Sequence, residues 1–260
     1  MRLESKKREG RGRATTSEGR PAWRARLGLL LLTFAMACGG ADGEQASPES
    51  TATATTAAPS VAGDAAPSAE NRGPRVVILG TSLTAGLGLD PDSAWPALVQ
   101  RTADSAGVRV RIDAAGLSGE TSAGALRRAE WVLRDPADVV VLEVGANDGL
   151  RGVDPDTTRE TLVALVAKVR GAQPGALIAL VQMEAPPNLG AEYTASFRAA
   201  YTSAAQRTGI PLLPFLLEGV AGERTLNQTD GIHPNEAGSK VVAATMWRAL
   251  APLVAEAAAR

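Results

Sequence analysis

The sequence predicts an α/β protein in which a parallel sheet is covered by helices on both faces. Two observations carry this. Short apolar runs recur between residues 75 and 213, several of them β-branched or closed by glycine. Between them lie longer stretches with apolar residues at helical spacing, so strand and helix alternate. A strand buried on both faces reads as a continuous apolar run. Strands that alternate with helices pair in parallel through right-handed crossovers.

The elements follow in order. Residues 75–79 form a first strand that stops at Gly80. Ser93 stands where it can cap a helix through Trp95, Leu98 and Val99. Residues 108–112 predict a second strand. Residues 121–133 predict a helix with Leu126, Ala129 and Leu133 on one face. Residues 139–144 are β-branched, closed by Gly145, and predict a third strand. Residues 157–170 place Leu162, Leu165, Val166 and Val169 at helical spacing. Residues 176–181 and 210–213 predict the fourth and fifth strands. Helices over 191–207 and 236–259 complete the pattern. Aromatic residues are only 3%, so Ala, Val and Leu must supply most of the core.

Residues 1–73 read differently. The chain's net charge of −1 hides nine Lys/Arg against three Glu in residues 1–26. The acidic remainder is a poor partner for nucleic acid, which needs many cationic contacts. Residues 27–37 carry no charge. That run is too short for a bilayer span of ~20 residues and suits the apolar part of an export signal. Ala35, Met36 and Ala37 before Cys38 resemble a bacterial lipobox, with Ala35 where leucine is usual. The resemblance implies a signal peptide over 1–37, lipidation of Cys38, and an exported, membrane-anchored protein on the periplasmic or cell-surface side. Residues 38–73 are rich in Ala, Thr, Ser, Gly and Pro and predict a disordered tether. A folded domain over 74–260 follows. Cys38 is the only cysteine, so the chain makes no internal disulfide. His233 is the only histidine, which leaves no multi-histidine metal site.

In an open α/β sheet, ligands bind beyond the carboxyl ends of the strands. Four loops there carry chemistry. Gly80 to Gly86 puts Ser82 in a tight turn after the first strand, but lacks the lysine of a P-loop and is not a G-x-S-x-G elbow. Asp230, Gly231, Ile232, His233 and Pro234 place an acid three residues before the only imidazole. An imidazole base needs such a partner to fix its tautomer. Gly145, Ala146, Asn147, Asp148 and Gly149 offer an amide donor for an oxyanion, or simply a turn. Ser118, Gly119, Glu120 and Thr121 offer an accessible backbone N–H, or a helix entry capped by Ser118.

Ser82, Gly119, Asn147 and His233 occur in the order that names the SGNH hydrolases, also called GDSL esterases. The chain resembles that family from about Arg75 to Leu253, and bacterial arylesterase and thioesterase I/lysophospholipase L1-type enzymes in particular. Residues 93–98, 145–152, 211–215 and 230–235 support the likeness. It implies a three-layer α/β/α sandwich with a mainly parallel five-stranded, flavodoxin-like sheet. It implies a carboxylic ester hydrolase with Ser82, His233 and Asp230 as triad. Ser82 N–H, Gly119 N–H and the Asn147 amide would form the oxyanion hole, with no cofactor and no metal. The loop 182–190 would meet the acyl chain through Met183, Ala185 and Pro186. Partners would be a small-molecule or lipid ester and, through Cys38, a membrane; a monomer is expected. One position departs from the family: Thr81 stands where the motif Gly-Asp-Ser has aspartate. A carbohydrate O-acetyl esterase and a non-catalytic binding lipoprotein are the competing readings.

Overall fold

The computed structural model describes residues 73–260. The expected signal peptide over 1–37, the expected lipidation of Cys38 and the expected tether up to residue 73 fall on residues that, apart from Gly73, lie outside the described ones.

Five strands form one parallel sheet: β1 (Arg75–Gly80), β2 (Arg111–Gly116), β3 (Val139–Glu143), β4 (Leu177–Val181) and β5 (Leu212–Leu213). Their spatial order is β2-β1-β3-β4-β5. The helices are α1 (Ser82–Ala85), α2 (Trp95–Ser105), α3 (Ser122–Val132), α4 (Ala146–Leu150), α5 (Pro155–Ala172), α6 (Ala191–Thr208) and α7 (Glu236–Ala258). The chain steps outward from β1 to β2, then reverses and crosses back to β3. Right-handed crossovers therefore place α2, with α7 packed on it, on one face. They place α3, α5 and α6, packed in a row, on the other. The reversal also leaves a crevice between the ends of β1 and β3, the usual binding position in such sheets.

The two central strands explain themselves. Val76 to Leu79 and Val139 to Leu142 are all at most 1% exposed. Each large side chain buried in this way contributes roughly 1.5–3 kcal/mol of hydrophobic stabilisation. Although aromatics are scarce, Phe197 and Tyr201 on α6 are fully buried and pack against each other at 5.5 Å. Helix α7 is long and apolar enough to cross a membrane by composition. In the fold it is a core helix, with Val242, Met246, Leu250 and Val254 buried.

Several predicted boundaries move. The second strand is Arg111–Gly116 rather than 108–112. Helix α2 ends at Ser105, and the Val108 N–H still bonds back to the Ala103 carbonyl. Pairing starts only where Arg111 N–H donates to the Pro74 carbonyl. β2 lies at the edge of the sheet and is half exposed, so it lacks the apolar run that marks a buried strand. Arg75 and Arg111 both bind Asp113 on its surface, at 2.6 and 2.9 Å. Ser93 caps no helix: it ends a 3-10 turn over Pro91–Ser93, and Ala94 precedes α2. Pro96 sits in the first turn of that helix, where its missing N–H costs nothing. Ser118 does not cap α3; Thr121 does, its hydroxyl accepting from Gly124 N–H. The fifth strand shrinks to Leu212–Leu213. Residues 146–150, read as a possible turn, form the short helix α4.

Candidate active site

Ser82 leaves the end of β1 as the first residue of α1, and is 8% exposed. The turn is tight because of what lies beneath it. Glu143 ends β3, and its carboxylate is fully buried under the loop. It accepts from Thr81 N–H at 2.8 Å and the Thr81 hydroxyl at 2.9 Å. It accepts from Thr84 N–H at 3.2 Å and the Thr84 hydroxyl at 2.7 Å. A methyl group on Gly80 would come within 2.1 Å of Thr84 Oγ1 and 2.7 Å of Glu143 Oε2, so only glycine fits. Burial pushes the Glu143 carboxyl upward; the backbone and hydroxyl donors of Thr81 and Thr84 oppose this only in part.

His233 arrives from the other side of the crevice. Asn227 and Pro234 form an antiparallel bridge that closes the turn between them. Asp230 Oδ1 accepts from the N–H groups of Ile232 and His233 at 2.9 and 3.0 Å. Its Oδ2 lies 2.6 Å from His233 Nδ1. His233 Nε2 lies 2.9 Å from Ser82 Oγ. Burial alone would raise the Asp230 carboxyl. The His233 ring and the two backbone N–H groups outweigh it and lower the carboxyl to about 2. Gln228 joins the two loops: its amide donates to the carbonyls of Leu87 at 2.7 Å and Pro234 at 2.9 Å. Helix α7 starts after this turn with Asn235 as its cap.

The donors expected for an oxyanion lie on neighbouring elements. Gly119 has φ 76°, a left-handed conformation that favours glycine. Arg151 holds the Gly119 carbonyl at 2.8 Å. The Asn147 amide donates to the carbonyl of Glu120, the next residue, at 3.0 Å. Buried Asp148 accepts from Ser122 N–H at 2.8 Å and its hydroxyl at 2.5 Å, tying α4 to the start of α3. Ser82 N–H lies in the first turn of α1, where backbone donors have no helical partner.

A cleft of about 320 Å³ starts beside Leu83 and Ile232, the residues next to Ser82 and His233. Met183, Ala185 and Pro186 line it, with Leu150 and Phe215. A wider groove of about 780 Å³ lies around Trp247, between α2 and α7, without any of these residues. Among the described residues, no group of three or more His, Cys, Asp or Glu is placed to hold a metal ion.

Sequence reasoning missed three supports. Glu143 was visible as a carboxylate inside an otherwise apolar strand. Arg128 reaches the carbonyls of Gly80 and Ala115 at 3.0 and 2.9 Å, and pairs with Glu120. Nothing in its helical position announced this. Gln228 acts across 141 residues of chain, which no local pattern reveals.

This arrangement can pass a proton from a hydroxyl to an imidazole whose far nitrogen is held by a carboxylate. The model of the GDSL-like lipase/acylhydrolase family matches residues 78–241. The chain is 38% identical over 181 residues to esterase TesA of Pseudomonas aeruginosa, covering 69% of this chain and 89% of that one. It is 37% identical over 180 residues to thioesterase 1/protease 1/lysophospholipase L1 of Escherichia coli K12, covering 69% and 84%. Among solved structures, the psychrotrophic esterase EstA from Pseudoalteromonas sp., inhibited by monoethylphosphonate, superposes with a TM-score of 0.66 at 34% identity. That match covers 70% of this chain and 98% of EstA.

Proposed function

This chain belongs to the GDSL-like lipase/acylhydrolase family, a carboxylic ester hydrolase by that kinship, and on this premise we propose that it cleaves acyl and aryl esters through Ser82, His233 and Asp230. One observation carries the reading: His233 Nε2 lies 2.9 Å from Ser82 Oγ while its Nδ1 lies 2.6 Å from Asp230.

His233 takes the Ser82 proton as Oγ attacks the ester carbonyl. Asp230 holds the ring and stabilises the imidazolium. Ser82 N–H, Gly119 N–H and the Asn147 amide receive the oxyanion. The alcohol, aryl oxygen or thiol leaves with the proton from His233. Water then hydrolyses the acyl-enzyme by the same route in reverse.

The test is labelling of the full chain by a fluorophosphonate, a probe suited to a relative that a phosphonate inhibits. Wild type should label at Ser82. Ser82→Ala and His233→Ala should not. Absence of labelling in folded wild type would remove the triad.

The apolar cleft supports acyl groups of medium length, held by Met183, Ala185 and Pro186. Turnover of p-nitrophenyl octanoate should match or exceed that of the acetate. A steep fall with chain length would sink the acyl-groove reading. For location, the sequence around Cys38 supports a lipid-anchored export product. Cys38→Ser should move the protein from the membrane to the soluble fraction and abolish incorporation of labelled palmitate.

A further inference from the structure

Glu143 is buried completely, carries an ionisable group, and touches neither His233 nor the cleft. It is nonetheless reached by four donors, two backbone N–H groups and two hydroxyls, all from the turn that carries Ser82. Three of them meet Oε2, and the Thr81 hydroxyl meets Oε1. At position 81 the chain carries a threonine, whose hydroxyl donates to the Glu143 carboxyl where an ionised carboxylate could not.

We propose that Glu143 is the positioning residue of the Ser82 turn, and that Thr81 is what lets it serve as a full acceptor with no shared proton. An aspartate at position 81 would stand about 3 Å from Glu143 in the same buried place. Two carboxyls that close cannot both ionise. One proton would have to stay between them, and the turn would hold its shape only while that proton remained. With threonine, the clamp needs no proton of its own. The other charged or titratable groups around it do not supply one. Tyr201 on α6 donates its hydroxyl to the Val144 carbonyl. Asp148 on α4 is bound by Ser122. Arg128 on α3 is engaged by Glu120 and the carbonyls of Gly80 and Ala115. His233 faces Ser82 Oγ.

The inference deepens the reading of Ser82 as nucleophile and rests on it. Its test reads nucleophile reactivity: the rate of fluorophosphonate labelling of the full chain from about pH 6 to about pH 10. Thr81→Asp should add a limb absent from wild type, the rate falling about tenfold per pH unit once the shared proton is lost. Thr81→Asn, similar in shape but neutral and still a donor, should keep the wild-type profile. In Thr81→Asp with Glu143→Gln, the glutamine amide can donate to the new carboxylate, so the limb should vanish. A Thr81→Asp profile that superposes on wild type would overturn the proposal. So would a limb that survives Glu143→Gln. Failure of wild type to label at all speaks instead against Ser82, which keeps the two readings apart. Should Thr81→Asp fail to fold, Thr81→Val serves: kcat should fall about tenfold at unchanged KM, with Thr81→Ser restoring it. An unchanged kcat in Thr81→Val overturns the proposal as well.

Discussion

The Ser82 turn and the His233 turn meet at Ser82 Oγ and His233 Nε2, 2.9 Å apart, and through Gln228, yet they are held in opposite ways. The serine's turn is fixed from below, by a buried carboxylate some 60 residues away in sequence. The histidine's turn is fixed from within, by an acid three residues away whose side chain is 43% exposed. One half of the site depends on the tertiary fold being complete; the other carries most of its geometry locally. Chemistry fits this division. On the proposed mechanism, tight placement suits the attacking atom, and a partly solvated ring suits the group that takes and returns its proton.

Substitutions can break or sharpen the contrast. The largest effect is expected for His233→Ala, a loss of about 10⁴-fold in kcat/KM with the fold intact. Because that turn borders solvent, added imidazole should restore part of the activity to His233→Ala and none to Ser82→Ala. Equal failure of rescue in both would erase the distinction. Next comes Asn147→Ala, expected to lower kcat about 100- to 1,000-fold while KM changes little, measured by steady-state kinetics.

A pair of glycines tests the contrast most directly. Gly80→Ala drives a methyl group into Thr84 and Glu143 and should cut kcat about 100-fold while lowering Tm. Gly231→Ala, at φ 70° with open space around it, should cost about 1 kcal/mol of backbone strain and leave kcat within about threefold. Similar losses in the two variants would refute the division.

The smallest effect is in stability at acid pH. Asp230 is held at about 2, below its ordinary 3.8, so its ionised form favours the folded state. That contribution is complete above about pH 4 and is lost as pH falls through about 2. The Tm advantage of wild type over Asp230→Asn should therefore narrow over that window. It should be small throughout, because the group is largely solvated.

The same division decides what was legible in the sequence. The histidine turn is a local motif, and the chain shows Asp230 and His233 side by side. The central strands were equally plain, because burial on both faces leaves an unbroken apolar run. β2 was misplaced by three residues because an edge strand with Arg111 and Asp113 on its surface lacks that run. The role of Glu143 escaped because its partners come from the end of another strand. A carboxylate inside an apolar strand is visible in sequence, but what it holds is a property of the packed sheet.

The two edges of that sheet bear on how the molecule behaves in company. One edge strand displays Arg111 and Asp113, joined by Arg75 from its neighbour. The opposite edge is only two residues long. Neither offers a neighbouring molecule a long, apolar row of free backbone groups to pair with. The sheet is thereby guarded against strand-by-strand aggregation, which is how natural β-sheets avoid sticking to their copies at high concentration.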